Sequence, residues 1–261
     1  MFRKNKLAML VSEFLGTGLL TLIVLALSRS QINQQIPFFM LIPVGLLLGL
    51  MVVALAGISG AVFNPALSIG LWTVRKLKTL QAVSYILAQF AGAAAAWYLF
   101  VYFTKTHDIK NTGNYDARIL TGEVVGTFVF AFSLAAALYQ RLSLGLKGVM
   151  VGGGLIAGAS IASLGSGGIL NPAVAFALHQ WGWGTYVLGP VLGAVIGFNL
   201  YNLLFVETEI AEIAEAKAEA AEVEEVVVMK PATKTVAAQR ASAKKTVARK
   251  APAKRKAPAK K

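Results

Sequence analysis

Long apolar stretches alternate with short polar connections along most of this chain. Between Lys147 and Glu207 the sequence contains no Asp, Glu, Lys or Arg. A hydrocarbon layer about 30 Å thick is crossed by about 20 apolar residues in a helix. Because the apolar runs lack the alternation of barrel strands, they predict an all-α membrane protein. Six predicted spans lie at about 7–28, 36–57, 79–104, 118–140, 148–164 and 183–206.

Two further apolar segments are too short to cross a membrane. They run from Asn64 to about Thr73 and from Asn171 to about Trp181. A helix of about ten residues is about 15 Å long, which is half the hydrocarbon thickness. Two such half-helices entering from opposite faces would meet at the midplane and together complete one crossing.

The same order of elements occurs twice. The residues from Glu13 to Thr17, Glu-Phe-Leu-Gly-Thr, recur 110 positions later, from Glu123 to Thr127, as Glu-Val-Val-Gly-Thr. An Asn-Pro-Ala triplet at Asn64 recurs 107 positions later at Asn171. Because each repeat holds three spans, the second must insert upside down relative to the first. The predicted fold is therefore six transmembrane helices plus two re-entrant half-helices in two inverted repeats, with a permeation site near the midplane.

Eight of the twelve basic residues before position 207 lie on one side of the predicted spans. They precede the first and third spans and separate the fourth from the fifth: Arg3, Lys4, Lys6, Arg75, Lys76, Lys78, Arg141 and Lys147. Cytoplasmic loops carry an excess of Lys and Arg. This pattern predicts an integral, multi-pass protein of the cell membrane with both termini in the cytoplasm.

Composition changes after residue 206 and accounts for most of the net charge of +13. Residues 1–206 form the predicted channel domain, with repeats at about 7–104 and 118–206. Residues 207–229 hold eight Glu and one Lys, which predicts an acidic helical extension, and residues 230–261 hold twelve Lys or Arg and no acid. The last segment is rich in Lys, Ala and Pro, which predicts a disordered tail. Such a tail suits anionic lipid headgroups, nucleic acid, or the neighbouring acidic segment, and the alternative is that it binds no partner and only adds solubility.

Asparagine followed by proline suits the start of a helix at membrane depth. Asn is a good N-cap, and Pro fits the first turn, where its missing N–H would have no partner in any case. Two helix N-termini at the midplane place about half a positive charge each there, which raises a barrier to cations and hydrated protons. The Asn amides can also donate hydrogen bonds to a passing oxygen. The predicted pore motifs are Asn64, Pro65, Ala66, Asn171, Pro172 and Ala173.

The segments from Gly57 to Ala66 and from Gly167 to Ala173 resemble the two pore loops of the aquaporin, or major intrinsic protein, family. The resemblance covers about residues 7–206. Further positions match the family: Glu13, Glu123, Gln89 and the Gly189-Pro190 pair. What the resemblance implies is a homotetramer in membrane lipid, in which every subunit has its own pore for passive flow of water or small uncharged, glycerol-like solutes.

Glu13 and Glu123 are ionisable residues inside predicted spans. Such residues serve as a proton path or as buried scaffolding. Their symmetric recurrence favours scaffolding, in which they accept hydrogen bonds from loop N–H groups and hold the half-helices in place. The family resemblance implies the same role.

The positions that sort solutes depart from the family pattern. Val174 stands where the family usually places an Arg, directly after the second triplet. Counting from each Asn, the other filter positions fall on Val44, Ala159 and Gly168, where water-selective members usually have an aromatic residue and a His. All four residues are small and uncharged, so we expect a wider and more apolar constriction that passes solutes larger than water. The alternative is that a displaced side chain, or the loop at 104–117, narrows the mouth.

Other function classes have less support in the residues. A coupled secondary transporter also has inverted repeats and broken helices, but coupling needs a titratable or ion-binding midplane. A membrane anchor that tethers nucleic acid or anionic lipid through its basic tail is a second alternative. The chain has no Cys, and its two histidines, His107 and His179, are far apart, so no metal site, cofactor or catalytic residue is predicted and the protein is not expected to be an enzyme.

Overall fold

The computed structural model describes residues 4–29, 37–106 and 115–206. All of these belong to one compact unit, Met1–Glu209. The predicted acidic extension at 207–229, the basic tail at 230–261 and His107 lie outside the described residues.

The described part of the chain is helical and contains no strand. Its helices are α1 (Lys4–Ser28), α2 (Leu41–Ser59), α3 (Pro65–Thr73), α4 (Thr79–Thr104), α5 (Ala117–Tyr139), α6 (Leu144–Ala162), α7 (Pro172–Ala177) and α8 (Trp183–Val206). A short 3₁₀ turn at Pro37–Met40 precedes α2.

Six of these helices, α1, α2, α4, α5, α6 and α8, are long and apolar enough to cross a membrane. The predicted all-α fold with six spans is confirmed. The two short helices, α3 with nine residues and α7 with six, begin at the Asn-Pro-Ala triplets. They are the two half-helices of the predicted architecture.

Several element boundaries differ from the sequence pattern, among them the start of α2, which is Leu41 where about 36 was predicted. Two of the differences have a clear local cause. Helix α7 ends at Ala177 and does not reach Trp181, because His179 adopts a left-handed φ of 55° and the N–H of Gln180 turns back to the carbonyl of Ala175 at 2.9 Å. Helix α6 begins before position 148, because the Ser143 hydroxyl caps it by accepting a hydrogen bond from the N–H of Leu146 at 3.3 Å.

Helices from the two repeats approach each other closely where α2 meets α6. A side chain on Gly49 would place its Cβ 2.8 Å from the carbonyl oxygen of Gly148, and one on Gly148 would place it 2.7 Å from the carbonyl oxygen of Gly49. Only glycine leaves room for such an approach, and in lipid close backbone packing is what holds helices together. The crossing brings the two halves of the molecule together.

Candidate permeation site

The two half-helices begin in the same way. Asn64 and Asn171 have extended backbones, with φ of −152° and −143°, and each is followed by proline in the first turn. The Asn64 Oδ1 accepts a hydrogen bond from the N–H of Ala66 at 2.9 Å, and the Asn171 Oδ1 accepts one from Ala173 at 3.0 Å. Both asparagines therefore cap their own helix with the side-chain oxygen, which leaves the side-chain nitrogen for another partner.

The side-chain nitrogens reach across to the other repeat. The Asn64 Nδ2 donates to the carbonyl oxygen of Leu170 at 2.8 Å, and the Asn171 Nδ2 donates to that of Phe63 at 3.0 Å. Each asparagine side chain thus binds the backbone carbonyl of the residue that directly precedes the other asparagine. The two triplets, 107 positions apart in the sequence, meet inside the fold in a nearly symmetric pair of hydrogen bonds.

Glu13 lies fully buried against the arm that leads to the first triplet, residues 60–63. Its carboxylate accepts hydrogen bonds from the N–H groups of Val62 at 3.1 Å and Phe63 at 2.7 Å. The Ser59 hydroxyl donates to it at 2.6 Å and the Gln89 amide at 2.8 Å. Two of these four bonds satisfy backbone N–H groups that have no helix or sheet partner.

Glu123 makes the matching contacts with the second arm, residues 167–170. It is fully buried and accepts hydrogen bonds from the N–H groups of Ile169 at 3.0 Å and Leu170 at 2.7 Å, and from the Ser166 hydroxyl at 2.8 Å. No described side-chain amide takes the place that Gln89 has beside Glu13. The second carboxylate therefore has three donors where the first has four.

Both arms contain strained backbone. Ala61, Phe63 and Leu170 have positive φ values of 53°, 51° and 55°, although none is glycine. A non-glycine residue in this region costs on the order of 1–3 kcal/mol and persists only where its surroundings hold it. Here the buried carboxylates and the asparagine pair bind the strained peptides on both sides.

A cavity of about 220 Å³ runs from Ser28 and Met40 to the paired asparagines. All four predicted filter positions line this cavity: Val44, Ala159, Gly168 and Val174. No described residue that lines the cavity is charged, and the only polar side chains among them are Ser28, Asn64 and Asn171.

The structure also shows lining and supporting residues that the sequence reasoning missed. Leu20 and Phe130 line the cavity, and Ser59 and Ser166 donate to the two buried carboxylates. A signal for all four was available, because Leu20 and Phe130 lie seven residues after Glu13 and Glu123, on the same helix face. The two serines lie five residues before the two triplets.

His179 follows the end of α7 and packs against aromatic side chains. Its ring packs 4.3 Å from the Trp97 ring and 5.4 Å from the Trp181 ring, measured between centroids. Within the described residues, no group of three His, Cys, Asp or Glu side chains is arranged to hold a metal ion. His179 is therefore part of an aromatic cluster that packs the end of the half-helix.

Comparisons with known proteins agree with this arrangement. The family model described as "Major intrinsic protein" matches residues 2–201. Aquaporin AqpM of Methanothermobacter marburgensis is 33% identical over 175 residues, which cover 58% of this chain and 70% of that protein. Aquaporin NIP1-1 of Zea mays is 33% identical over 216 residues, which cover 78% of this chain and 74% of that protein.

A solved structure has the same fold. The X-ray structure of the aquaglyceroporin from Plasmodium falciparum superposes with a TM-score of 0.64 at 16% sequence identity. The match covers 79% of this chain and 99% of that one. At this level of identity the similarity shows the architecture alone.

Proposed function

Because this chain belongs to the major intrinsic protein family, whose aquaporins are passive channels and not enzymes, we propose that its pore conducts small uncharged solutes larger than water as well as water itself. The protein is an integral multi-pass membrane protein and a passive channel for water or small solutes. The wider solute range is the part of this statement that goes beyond the family.

The observation that carries the proposal is the uncharged lining of the cavity at the four filter positions. Val44, Ala159 and Val174 contribute only aliphatic groups, and Gly168 contributes no side chain. A fixed Arg in this place would occupy volume and bind water strongly. Its replacement by Val174 leaves a wider opening that does not discriminate by charge.

Ion exclusion is then assigned to the midplane. Helices α3 and α7 both begin there, and each N-terminus carries about half a positive charge, which disfavours cations and hydrated protons. Asn64 and Asn171 each keep one side-chain N–H hydrogen that is not used between the arms, and we propose that these two donors hold a passing oxygen.

The test is a stopped-flow assay in proteoliposomes that measures water, glycerol, urea and proton flux for the native chain, Val174→Arg and Leu164→Arg. Leu164 is 88% exposed and outside the cavity lining, so it places the same charge away from the pore. We expect Val174→Arg to lower glycerol and urea flux by about tenfold or more, because an Arg would fill the opening, and Leu164→Arg to lower neither. A native protein that passes water alone, with no effect of Val174→Arg, would contradict the proposal.

Passive transport distinguishes this function from coupled transport. The described midplane side chains are two amides, which do not titrate and have no ion partner. Solute should therefore equilibrate and never accumulate against its gradient, with or without a proton gradient across the liposome.

We further propose a homotetramer in the cell membrane with both termini in the cytoplasm. The basic residues at the ends of α3, α4 and α6 support this orientation through the positive-inside pattern. Native mass spectrometry of the detergent-solubilised protein tests the assembly. Accessibility of terminal tags in intact and permeabilised cells tests the orientation, which is wrong if the tags are labelled in intact cells.

For the basic segment at 230–261 we propose contact with anionic lipid headgroups, each basic residue near the surface contributing about 1 kcal/mol. Nucleic acid is the competing partner, because counterion release serves both. A chain truncated after residue 206 should keep its permeability and lose salt-sensitive binding to anionic vesicles. Equal vesicle binding by the full and truncated chains would contradict the assignment.

A further inference from the structure

We propose that the channel carries a site for one anionic phospholipid, in a pocket where α1 and α4 begin. The pocket shares no lining residue with the pore cavity. Two lysines, Lys6 and Lys78, line it, and the rest of its described lining is uncharged. The site is independent of the solute that the pore passes, so the two proposals can be tested separately.

Neither lysine has a counter-charge in the described part of the protein. No Asp or Glu lines the pocket, and neither ammonium group forms an ion pair with a described residue. The described acidic residues are Glu13 and Glu123, which are fully buried against the pore arms, and Asp116, which caps α5. An anion that enters the pocket therefore meets two positive side chains and no carboxylate of its lining.

The two lysines also stand where a positive charge is unfavourable. Lys6 lies in the first turn of α1, Lys78 is the N-cap residue of α4, and neither helix has an acidic residue in its first turn. A helix N-terminus carries about half a positive charge and favours anions. Lys78 makes no side-chain hydrogen bond that caps its helix. Two ammonium groups and two helix N-termini thus meet in one pocket, and a bound anion relieves their repulsion.

The pocket is amphipathic and lies at the end of two spans. With 25 and 26 residues, α1 and α4 are each about 37–39 Å long, which exceeds the hydrocarbon thickness of about 30 Å. Their terminal turns therefore extend into the headgroup region. Leu80, which is 75% exposed, and the half-buried Met9 and Leu10 line the pocket beside the lysines. A ligand with an anionic head and an apolar chain fits this wall, and an anionic phospholipid of the surrounding bilayer is such a ligand.

The floor of the pocket belongs to the network that supports the first pore arm. The Tyr85 side chain is 1% exposed, and its hydroxyl accepts from the Gln81 amide at 3.1 Å and donates to the carbonyl of Ser59 at 2.7 Å. The Ser59 hydroxyl in turn donates to Glu13, which binds the arm at residues 60–63. A lipid that covers Tyr85 and Gln81 binds only the folded protein, so it should raise the melting temperature of the channel.

Native mass spectrometry of the full-length protein in detergent, titrated with phosphatidylglycerol or with phosphatidylcholine of the same acyl chains, tests the site. We expect phosphatidylglycerol to bind at least about fivefold more tightly, because the choline group adds a positive charge beside the lysines. Lys6→Gln and Lys78→Gln should each weaken its binding by about fivefold, the factor that corresponds to about 1 kcal/mol for one basic residue near a lipid surface.

Lys147→Gln is the matched control. It removes the same charge near the start of α6, outside the pocket, and should change the dissociation constant by less than about twofold. All variants keep the basic segment at 230–261, so lipid bound there is common to all of them. A loss in Lys147→Gln equal to that in the pocket variants, or equal binding of the two lipids, would show general surface attraction and overturn the site.

Thermal unfolding of the same preparations gives a second readout. Phosphatidylglycerol at a hundredfold excess over its dissociation constant should raise the melting temperature by about 5–11 °C, and the double variant should keep about a third of that rise. Equal stabilisation by soluble glycerol 3-phosphate would overturn the lipid assignment in favour of free phosphate. A lower melting temperature of the pocket variants without any lipid dependence would overturn it in favour of an anionic segment of the chain itself, such as 207–229. Water flux in each variant verifies that the channel is folded.

Discussion

Replacing Glu13 by glutamine tests whether the buried carboxylates hold the pore arms. The amide has the same shape, but one of its ends donates and does not accept. The Ser59 hydroxyl can turn to accept, so the least costly arrangement places the new NH₂ beside Ser59 and Val62. The Phe63 and Gln89 bonds then survive, and the N–H of Val62 is left without an acceptor in a residue that is 4% exposed.

The expected loss follows from that single orphaned donor. A buried unsatisfied backbone group costs about 1–3 kcal/mol. For a folded region of about 200 residues, 1 kcal/mol corresponds to about 2–4 °C, so the melting temperature should fall by about 2–12 °C. Glu123→Gln should give a loss in the same range, because the donor it orphans, the N–H of Ile169, points at a carboxylate that is also fully buried.

Thermal unfolding of the purified protein, followed by tryptophan fluorescence, measures both changes. Asp116→Asn is the matched control, since it makes the same carboxylate to amide change at the N-cap of α5. There the remaining oxygen still accepts from the N–H of Arg118, and we expect a change within about 0.5 kcal/mol. The reasoning is refuted if Glu13→Gln unfolds at the temperature of Asp116→Asn.

Two further changes probe packing and support. Gly152→Ala should lower the free energy of unfolding by about 1–3 kcal/mol, because its methyl group would overlap the carbonyl oxygen of Gly45. Gly153→Ala is the control and should be neutral or stabilising, because its methyl group meets no atom within 4 Å. Equal melting temperatures for the two variants would contradict this account. Ser59→Ala removes a hydroxyl that donates to Glu13 at 2.6 Å and should cost about 1–3 kcal/mol by the same thermal assay, with no shift counting against a supporting role.

Much of the architecture is readable from local sequence. An apolar run without charge, such as the one before Glu207, has no stable place except in lipid, so the spans follow from composition and length. The Asn-Pro pairs also specify helix starts locally, and α3 and α7 begin at Pro65 and Pro172. The end of α7 was predicted too late. Helix ends are usually recognised by Gly or Pro, and here the left-handed residue that ends the helix is His179.

The supporting groups of the pore were predicted only in part. Glu13 and Glu123 were singled out because an ionisable residue inside an apolar span is costly and usually has a specific role. Their contacts with the arms agree with the scaffolding hypothesis. Ser59 and Ser166 were missed, because a serine beside a glycine is unremarkable in any loop. Their shared spacing from the two triplets identifies them once the arms are superposed.

The sequence by itself determined that the chain crosses a membrane six times and carries two Asn-Pro-Ala half-helices, because span length and helix starts depend on neighbouring residues alone. Only the tertiary structure decided that Asn64 and Asn171 bind each other's arms, and that Val44, Ala159, Gly168 and Val174 face one cavity. These hydrogen bonds join residues 106 and 108 positions apart, and no local sequence pattern brings such distant residues to one site. The set of side chains that line the pore is therefore decided by the tertiary structure, whereas the two half-helices that carry the pore motifs are predictable from the sequence.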